Sequence, residues 1–163
     1  MVEILGIDPG KTGAVALKTE SSVEIQDCPT IEIGKTKKGN PKFEPDPFQM
    51  AKLVQSYKAR YPDLICVIEV QSMRAHEGSK STFHTGEWFG YWIGILAALD
   101  IEIILVNPQD WKRHYNLPGG KDKEPSRLLA IEKYPEMANY LKRKKDHGRA
   151  EALLIAEYGV SLR

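Results

Sequence analysis

The run Ile4-Leu-Gly-Ile-Asp-Pro-Gly-Lys-Thr-Gly-Ala-Val-Ala-Leu17 constrains this chain more than any other segment, because it reads as a buried strand, a tight turn and a second strand. Ile4, Leu5 and Ile7 continue the apolar character begun at Val2, and Pro9, Gly10 and Gly13 supply turn chemistry before Ala14 to Leu17 resumes a strand pattern. Asp8 closes the first strand, where a carboxylate is presented rather than packed. An acid there binds a metal ion, stands beside a phosphate-cradling turn, or caps its own turn. The rest of the chain has to choose.

The 163 residues are the length of one domain, so we expect a single unit over 1–163. No apolar stretch approaches membrane-spanning length, and the start reads as a strand rather than a secretory signal, which leads us to expect an intracellular protein without a membrane partner. Cys28 and Cys66 stand far apart, in neither a zinc nor a redox spacing, and are expected as buried reduced thiols. The formal net charge is only +1, so the average gives no reason to expect a polyanionic partner. The distribution does. Positive charge gathers in Gly34-Lys-Thr-Lys-Lys-Gly-Asn-Pro-Lys42 and Leu141-Lys-Arg-Lys-Lys145, while acids stand at the ends of elements, a pattern suited to phosphates around an acidic centre.

Along the chain, Val23 to Gln26 predicts a third strand, 30–47 a loop, Phe48 to Arg60 a helix and Leu64 to Ile68 a buried strand ending at Glu69. A polar loop over 70–82 precedes an apolar helix from Phe83 to Leu99, on which Gly86, Gly90 and Gly94 form one ridge, expected to admit a close neighbour. The aromatic residues Trp88, Phe89, Tyr91 and Trp92 on its other sides suggest a subunit interface. Ile101 to Val106 reads as a strand and Pro108 to Tyr115 as a short helix. Further helices are expected over Glu124–Lys133, Met137–Lys144 and Gly148–Tyr158, the last stopping at Gly159. This order implies an α/β fold with a mixed five-stranded sheet flanked by helices.

The last helix keeps Glu151 near its start and is apolar beyond it, so that acid can face the strand ends. His147, four residues earlier, shares its face if the helix has begun there, and Asp146 can reach the same place from the preceding turn. Asp8, Glu69, Asp146 and Glu151 thus form a candidate metal-binding set, with His147 as a further ligand candidate. Clustered carboxylates need a counter-charge, and two Mg²⁺ or Mn²⁺ ions about 3.5–4 Å apart supply it in phosphoryl transfer.

These motifs, with Ile68-Glu-Val-Gln71, Asn107-Pro-Gln-Asp-Trp-Lys112 and Gly119-Gly-Lys-Asp-Lys123, resemble those of the RuvC-like Holliday junction resolvases of the ribonuclease H-like superfamily. The resemblance implies a ribonuclease H-like fold and a homodimeric, Mg²⁺- or Mn²⁺-dependent endonuclease that nicks four-way DNA junctions symmetrically, without a nucleotide cofactor. It implies that Asp8, Glu69 and Glu151 are metal ligands and leaves the fourth to Asp146 or His147, of which Asp146 is preferred for its charge and His147 stands second. In many relatives the final pair is three residues apart, a position taken here by Gly148. Lys112 and Lys123 correspond to basic residues that assist at the scissile phosphate. Met73, with Arg74 beside it, corresponds to a residue that pries at the junction centre, and Lys35, Lys37, Lys38 and Lys42 would hold arms through phosphates.

Three rival readings remain. An actin-like or sugar-kinase fold shares the turn motif but needs two domains. A DNA-binding module that does not cut has no use for convergent acids. Another ribonuclease H-like nuclease would act on forks, flaps or RNA–DNA hybrids.

Overall fold

The computed structural model describes residues 3–72, 78–120 and 122–163. Three antiparallel strands, β1 (Ile4–Asp8), β2 (Ala14–Lys18) and β3 (Val23–Asp27), open the chain. Two further strands, β6 (Ile65–Glu69) and β7 (Glu102–Val106), run parallel to β1 on its other side. The sheet order is β3-β2-β1-β6-β7, the mixed five-stranded sheet expected from the sequence.

Strand parity decides what each face receives. Leu5, Ile7, Val15, Leu17, Cys66 and Ile68 meet the helices α1 (Pro47–Arg60) and α2 (Ser79–Ala98) on one face. Ile4, Ala14, Ala16, Ile65 and Val67 meet α5 (His147–Ser161) on the other. Asp8 and Glu69 follow the parity of Ile4 and of Ile65 with Val67, so both acids fall on the α5 side of the sheet. The parallel register pairs Ile7 with Ile68, which makes them neighbours at adjacent strand ends.

The helix α5 lies unusually close to β1. A Cβ built on Gly6 would stand 2.3 Å from the Ala152 carbonyl oxygen and 2.5 Å from the Ala156 nitrogen, so only hydrogen fits. Its seat is also set at the start of the helix, where a Cβ on Gly148 would stand 2.0 Å from the Thr12 carbonyl oxygen. Leu153, Leu154 and Ile155 are fully buried along its length, each adding about 1.5–3 kcal/mol of burial.

Several expectations are corrected. The predicted loop over 30–47 is instead a hairpin, β4 (Thr30–Lys35) and β5 (Pro41–Pro45), forming its own two-stranded sheet. Its first strand alternates Ile31 and Ile33 with polar neighbours but is exposed throughout, and the glycines, prolines and lysines that follow made the segment read as a loop. The α2 helix starts at Ser79 and not Phe83, because Ser-Lys-Ser-Thr carries no apolar signal. Gly86, Gly90 and Gly94 do not receive a close neighbour: each is exposed and a Cβ at any of them meets nothing within 4 Å. The expected Met137–Lys144 helix is replaced by turns flanked by short 3₁₀ segments at Pro135–Met137 and Lys144–Asp146. Arginines take the carbonyls a helix would have used: Arg149 donates to Tyr140 O at 3.0 Å and Arg127 to Leu141 O at 2.7 Å. Finally, α5 runs through Gly159, whose bare Cα accommodates the Val67 and Ile4 side chains rather than ending the helix.

The helices α3 (Pro108–His114) and α4 (Glu124–Lys133) match their predicted spans closely. Cys28 and Cys66 are free and buried, and burial pushes both thiols up. None of the helices among the described residues is long and apolar enough to cross a membrane. The close seat of α5 yields a direct expectation: Gly6→Ala should lower unfolding free energy by about 3 kcal/mol or more in urea denaturation, and a change below about 1 kcal/mol would contradict the contact.

Candidate active site

The site forms where β1, β6 and α5 meet. Asp8 ends β1, Glu69 ends β6, and Glu151 stands in the second turn of α5. Glu151 is 1% exposed, so its charge depends on what surrounds it. Lys123 donates to both of its oxygens, at 2.8 and 2.7 Å, and Lys112 Nζ stands 3.5 Å from Oε1. Ser126 Oγ adds a longer contact of 3.4 Å.

The carboxyls act on one another. Burial, then the charges of Glu151 and Glu69, raise the Asp8 carboxyl well above the ordinary range against the opposing pull of Lys123 and Lys112. Glu69 is raised too, chiefly by burial and further by Glu151, while a hydrogen bond from Trp111 pulls it back. Burial alone would lower the Lys123 ammonium, but Glu151 outweighs it and holds the group above its usual value. Three carboxylates thus face two ammoniums in one partly buried cleft. Such a set costs free energy unless more positive charge arrives.

Trp111 is the site residue that the sequence did not assign. Its ring is fully buried and its Nε1–H donates to Glu69 Oε2 at 2.7 Å, fixing one oxygen, while Oε1 has, among the described residues, a longer 3.4 Å contact from Gln71. The signal was present in Asn107-Pro-Gln-Asp-Trp-Lys112: a tryptophan beside a site lysine, one helical turn past a strand end. Nothing in the sequence pointed to Ser126.

Asp146 and His147 separate clearly. Asp146 is buried and accepts hydrogen bonds from the Arg143 backbone N–H at 2.8 Å and from its guanidinium at 2.7 Å. The Arg143 guanidinium, with help from Arg149, holds this carboxyl below its usual range. Both of its oxygens are engaged by Arg143. His147 begins α5 one turn before Glu151, and its Nδ1 is buried without a hydrogen-bond partner among the described residues. No side chain fits at Gly148. Of the other residues singled out, Lys35, Lys37 and Lys42 line a groove beside the hairpin and Lys38 is exposed at its tip. Met73 and Arg74 lie outside the described residues.

These residues fit a hard divalent cation: oxygen donors, an under-neutralised acid set and an orphaned imidazole nitrogen on the same helix face. The oxygens themselves are held apart in this arrangement. Among the described residues, the trio whose donor atoms all lie within 4.8 Å of one another is instead Glu44, His84 and Glu87, on β5 and α2. The acids at the sheet end have lysine ammoniums on Glu151 as their counter-charge. If Trp111 aims Glu69 at a cation, Trp111→Phe should weaken Mn²⁺ binding by about tenfold in calorimetry, since Glu69 loses its donor and competes for protons more strongly. Unchanged affinity would remove Trp111 from the site.

No family model matches the chain. Over 104 residues, 63% of the chain, it is 33% identical to the chloroplastic Holliday junction resolvase MOC1 of Chlamydomonas reinhardtii, and the match spans only 12% of that relative's length. Among solved structures it is similar to T. thermophilus RuvC in complex with a Holliday junction substrate, at 14% identity and a TM-score of 0.58, covering 96% of this chain and 90% of that one. A second Thermus thermophilus RuvC structure gives a TM-score of 0.55 at 12% identity, covering 99% and 96% of the two chains. At such identities the likeness is one of fold. The fold of the chain is thus similar to that of RuvC, and a stretch of its sequence is similar to a Holliday junction resolvase.

Proposed function

We propose that this chain is a metal-dependent, structure-specific endodeoxyribonuclease that resolves four-way DNA junctions, with residues 1–163 acting as one nuclease domain. The observation that carries the reading is the convergence of Asp8, Glu69 and Glu151 at the ends of β1 and β6 and the start of α5, with Lys112 and Lys123 against them. The name of the sequence relative supports the substrate class.

In this reading Asp8, Glu69, Glu151 and His147 hold two Mg²⁺ or Mn²⁺ ions. We place His147 rather than Asp146 in the fourth position, because its buried Nδ1 lacks a partner while Asp146 is engaged by Arg143. The bound cations supply the counter-charge this acid set lacks and the Lewis acidity that phosphodiester hydrolysis requires. Trp111 orients Glu69, and the cluster's negative charge keeps Lys112 and Lys123 at the cleft, where ammoniums offset charge building on a phosphate. Lys35, Lys37, Lys38 and Lys42 grip phosphates rather than bases. Symmetric nicking calls for two such sites, and we place the homodimer contact on α2, where the bare ridge of Gly86, Gly90 and Gly94 runs beside exposed Phe83 and Tyr91.

The test is a panel of four-way junction, fork, flap, RNA–DNA hybrid and linear duplex with Mg²⁺. The wild type should nick the junction preferentially. Glu69→Gln should reduce nicking on the order of a hundredfold or more while binding the junction within about twofold of wild type. Preferential cutting of a flap or hybrid would reassign the substrate, and junction binding without divalent-dependent nicking would leave a binding module.

A further inference from the structure

A second charged feature lies outside the acid cleft, between the β4–β5 hairpin and the start of α2. The hairpin stands against the helix through Glu44, whose Oε2 lies 3.5 Å from His84 Nδ1, and His84 in turn contacts Glu87 at 3.1 Å. Between them runs a groove of about 640 Å³ whose edges carry Lys11, Lys35, Lys37, Lys42 and Lys80. Phe43 and Trp88 contribute apolar surface to it. Lys42 is paired with Glu44 at 2.9 Å, but the other four lysines form no ion pair with a carboxylate of the described residues. Lys11 is the notable member, because it belongs to the turn that follows Asp8 and its ammonium stands 5.5 Å from the centre of the Phe43 ring. It also lines a second cavity, of about 260 Å³, together with Arg143 and Lys145 and with Asp27 and Asp146, acids that Arg149 and Arg143 already hold, so that Lys11 and Lys145 are its free cations among the described residues.

Two ligand chemistries compete for this groove. Glu44, His84 and Glu87 converge closely enough for a cation, yet Lys42 is bonded to Glu44, and both Lys42 and Lys80 draw the Glu44 carboxyl below its ordinary range. A cation would enter against five ammoniums. The trio is better explained as the clasp that fixes the hairpin to α2. Four uncompensated lysines around a concave surface instead concentrate positive potential, which selects an anion. Their spread along the whole groove, and the continuation through Lys11 into the Arg143 and Lys145 cavity, suit a chain of phosphates rather than one.

We propose that the groove between the β4–β5 hairpin and α2 seats the sugar–phosphate backbone of one DNA arm, and that Lys11 is the post at which this backbone passes the Asp8 turn toward Arg143 and Lys145. The inference rests on the nuclease reading and adds to it a path, with Lys11, Lys80, Arg143 and Lys145 as contacts. It gives the hairpin a role: its first strand is exposed throughout, and among the described residues its lysines pair with a carboxylate only at Lys42.

The experiment is fluorescence anisotropy with a labelled four-way junction, in Ca²⁺ rather than Mg²⁺, across a KCl series. Lys37→Glu and Lys80→Glu are compared with Lys52→Glu, an identical charge change at an exposed position on α1 that lines neither cavity. At about 0.1 M salt the two groove variants should each bind about tenfold more weakly and flatten the log–log salt slope by about one, with Lys52→Glu within about twofold of wild type. If the wild type binds tightly and the groove variants behave like Lys52→Glu, the groove is not the path, and the nuclease reading stands without it. If the wild type binds no branched DNA, the nuclease reading falls and the path falls with it.

Discussion

Negative charge confined inside the fold is the constraint on which the rest of this structure turns. Asp8, Glu69 and Glu151 are brought together by strand parity and helix placement, and burial and mutual repulsion leave Asp8 and Glu69 reluctant to ionise. Lys123 answers with both hydrogen bonds to Glu151, and Trp111 answers with one to Glu69. These partners do not neutralise the set. A purely structural core would have no reason to retain it, because apolar residues of similar volume would cost less.

The close contact between β1 and α5 makes the cluster geometrically available. With any side chain at Gly6 the helix would stand further from the sheet, and Glu151 with it. The same economy acts at Gly148, where the helix start lies against the carbonyl of Thr12 in the turn that presents Asp8. Turn, strand and helix are therefore fitted to one another at two bare positions, and the acid site sits beside them. The opposite face, built on Trp88, Trp92 and Leu96 of α2 with Met50, Val54 and Tyr57 of α1, holds the sheet from behind.

Much of this was legible in the residues because the relevant signals are local. Continuous apolar runs gave β1, β6 and β7, helical spacing gave α1 and α4, and acids at strand ends marked Asp8 and Glu69. The hairpin was missed because the short Ile31 and Ile33 alternation of β4, exposed on both sides, is outweighed by the glycines, prolines and lysines that follow it. That no element among the described residues covers the glycine ridge of α2 was not legible for a different reason: the spacing shows that three glycines share a side, but not what lies opposite. The choice between Asp146 and His147 was also beyond the sequence. Adjacent residues at a helix start point about 100° apart, so the answer lies in which partners each one meets. Arg143 takes Asp146, whereas the His147 Nδ1 meets none among the described residues.

Anomalous diffraction from crystals grown with Mn²⁺ tests the account most directly. Peaks bounded by Asp8, Glu69, Glu151 and His147, with Asp146 still held by Arg143, are the outcome expected here. Manganese bound at Glu44, His84 and Glu87, with Lys123 still on Glu151 and no peak at the ends of β1 and β6, would contradict it.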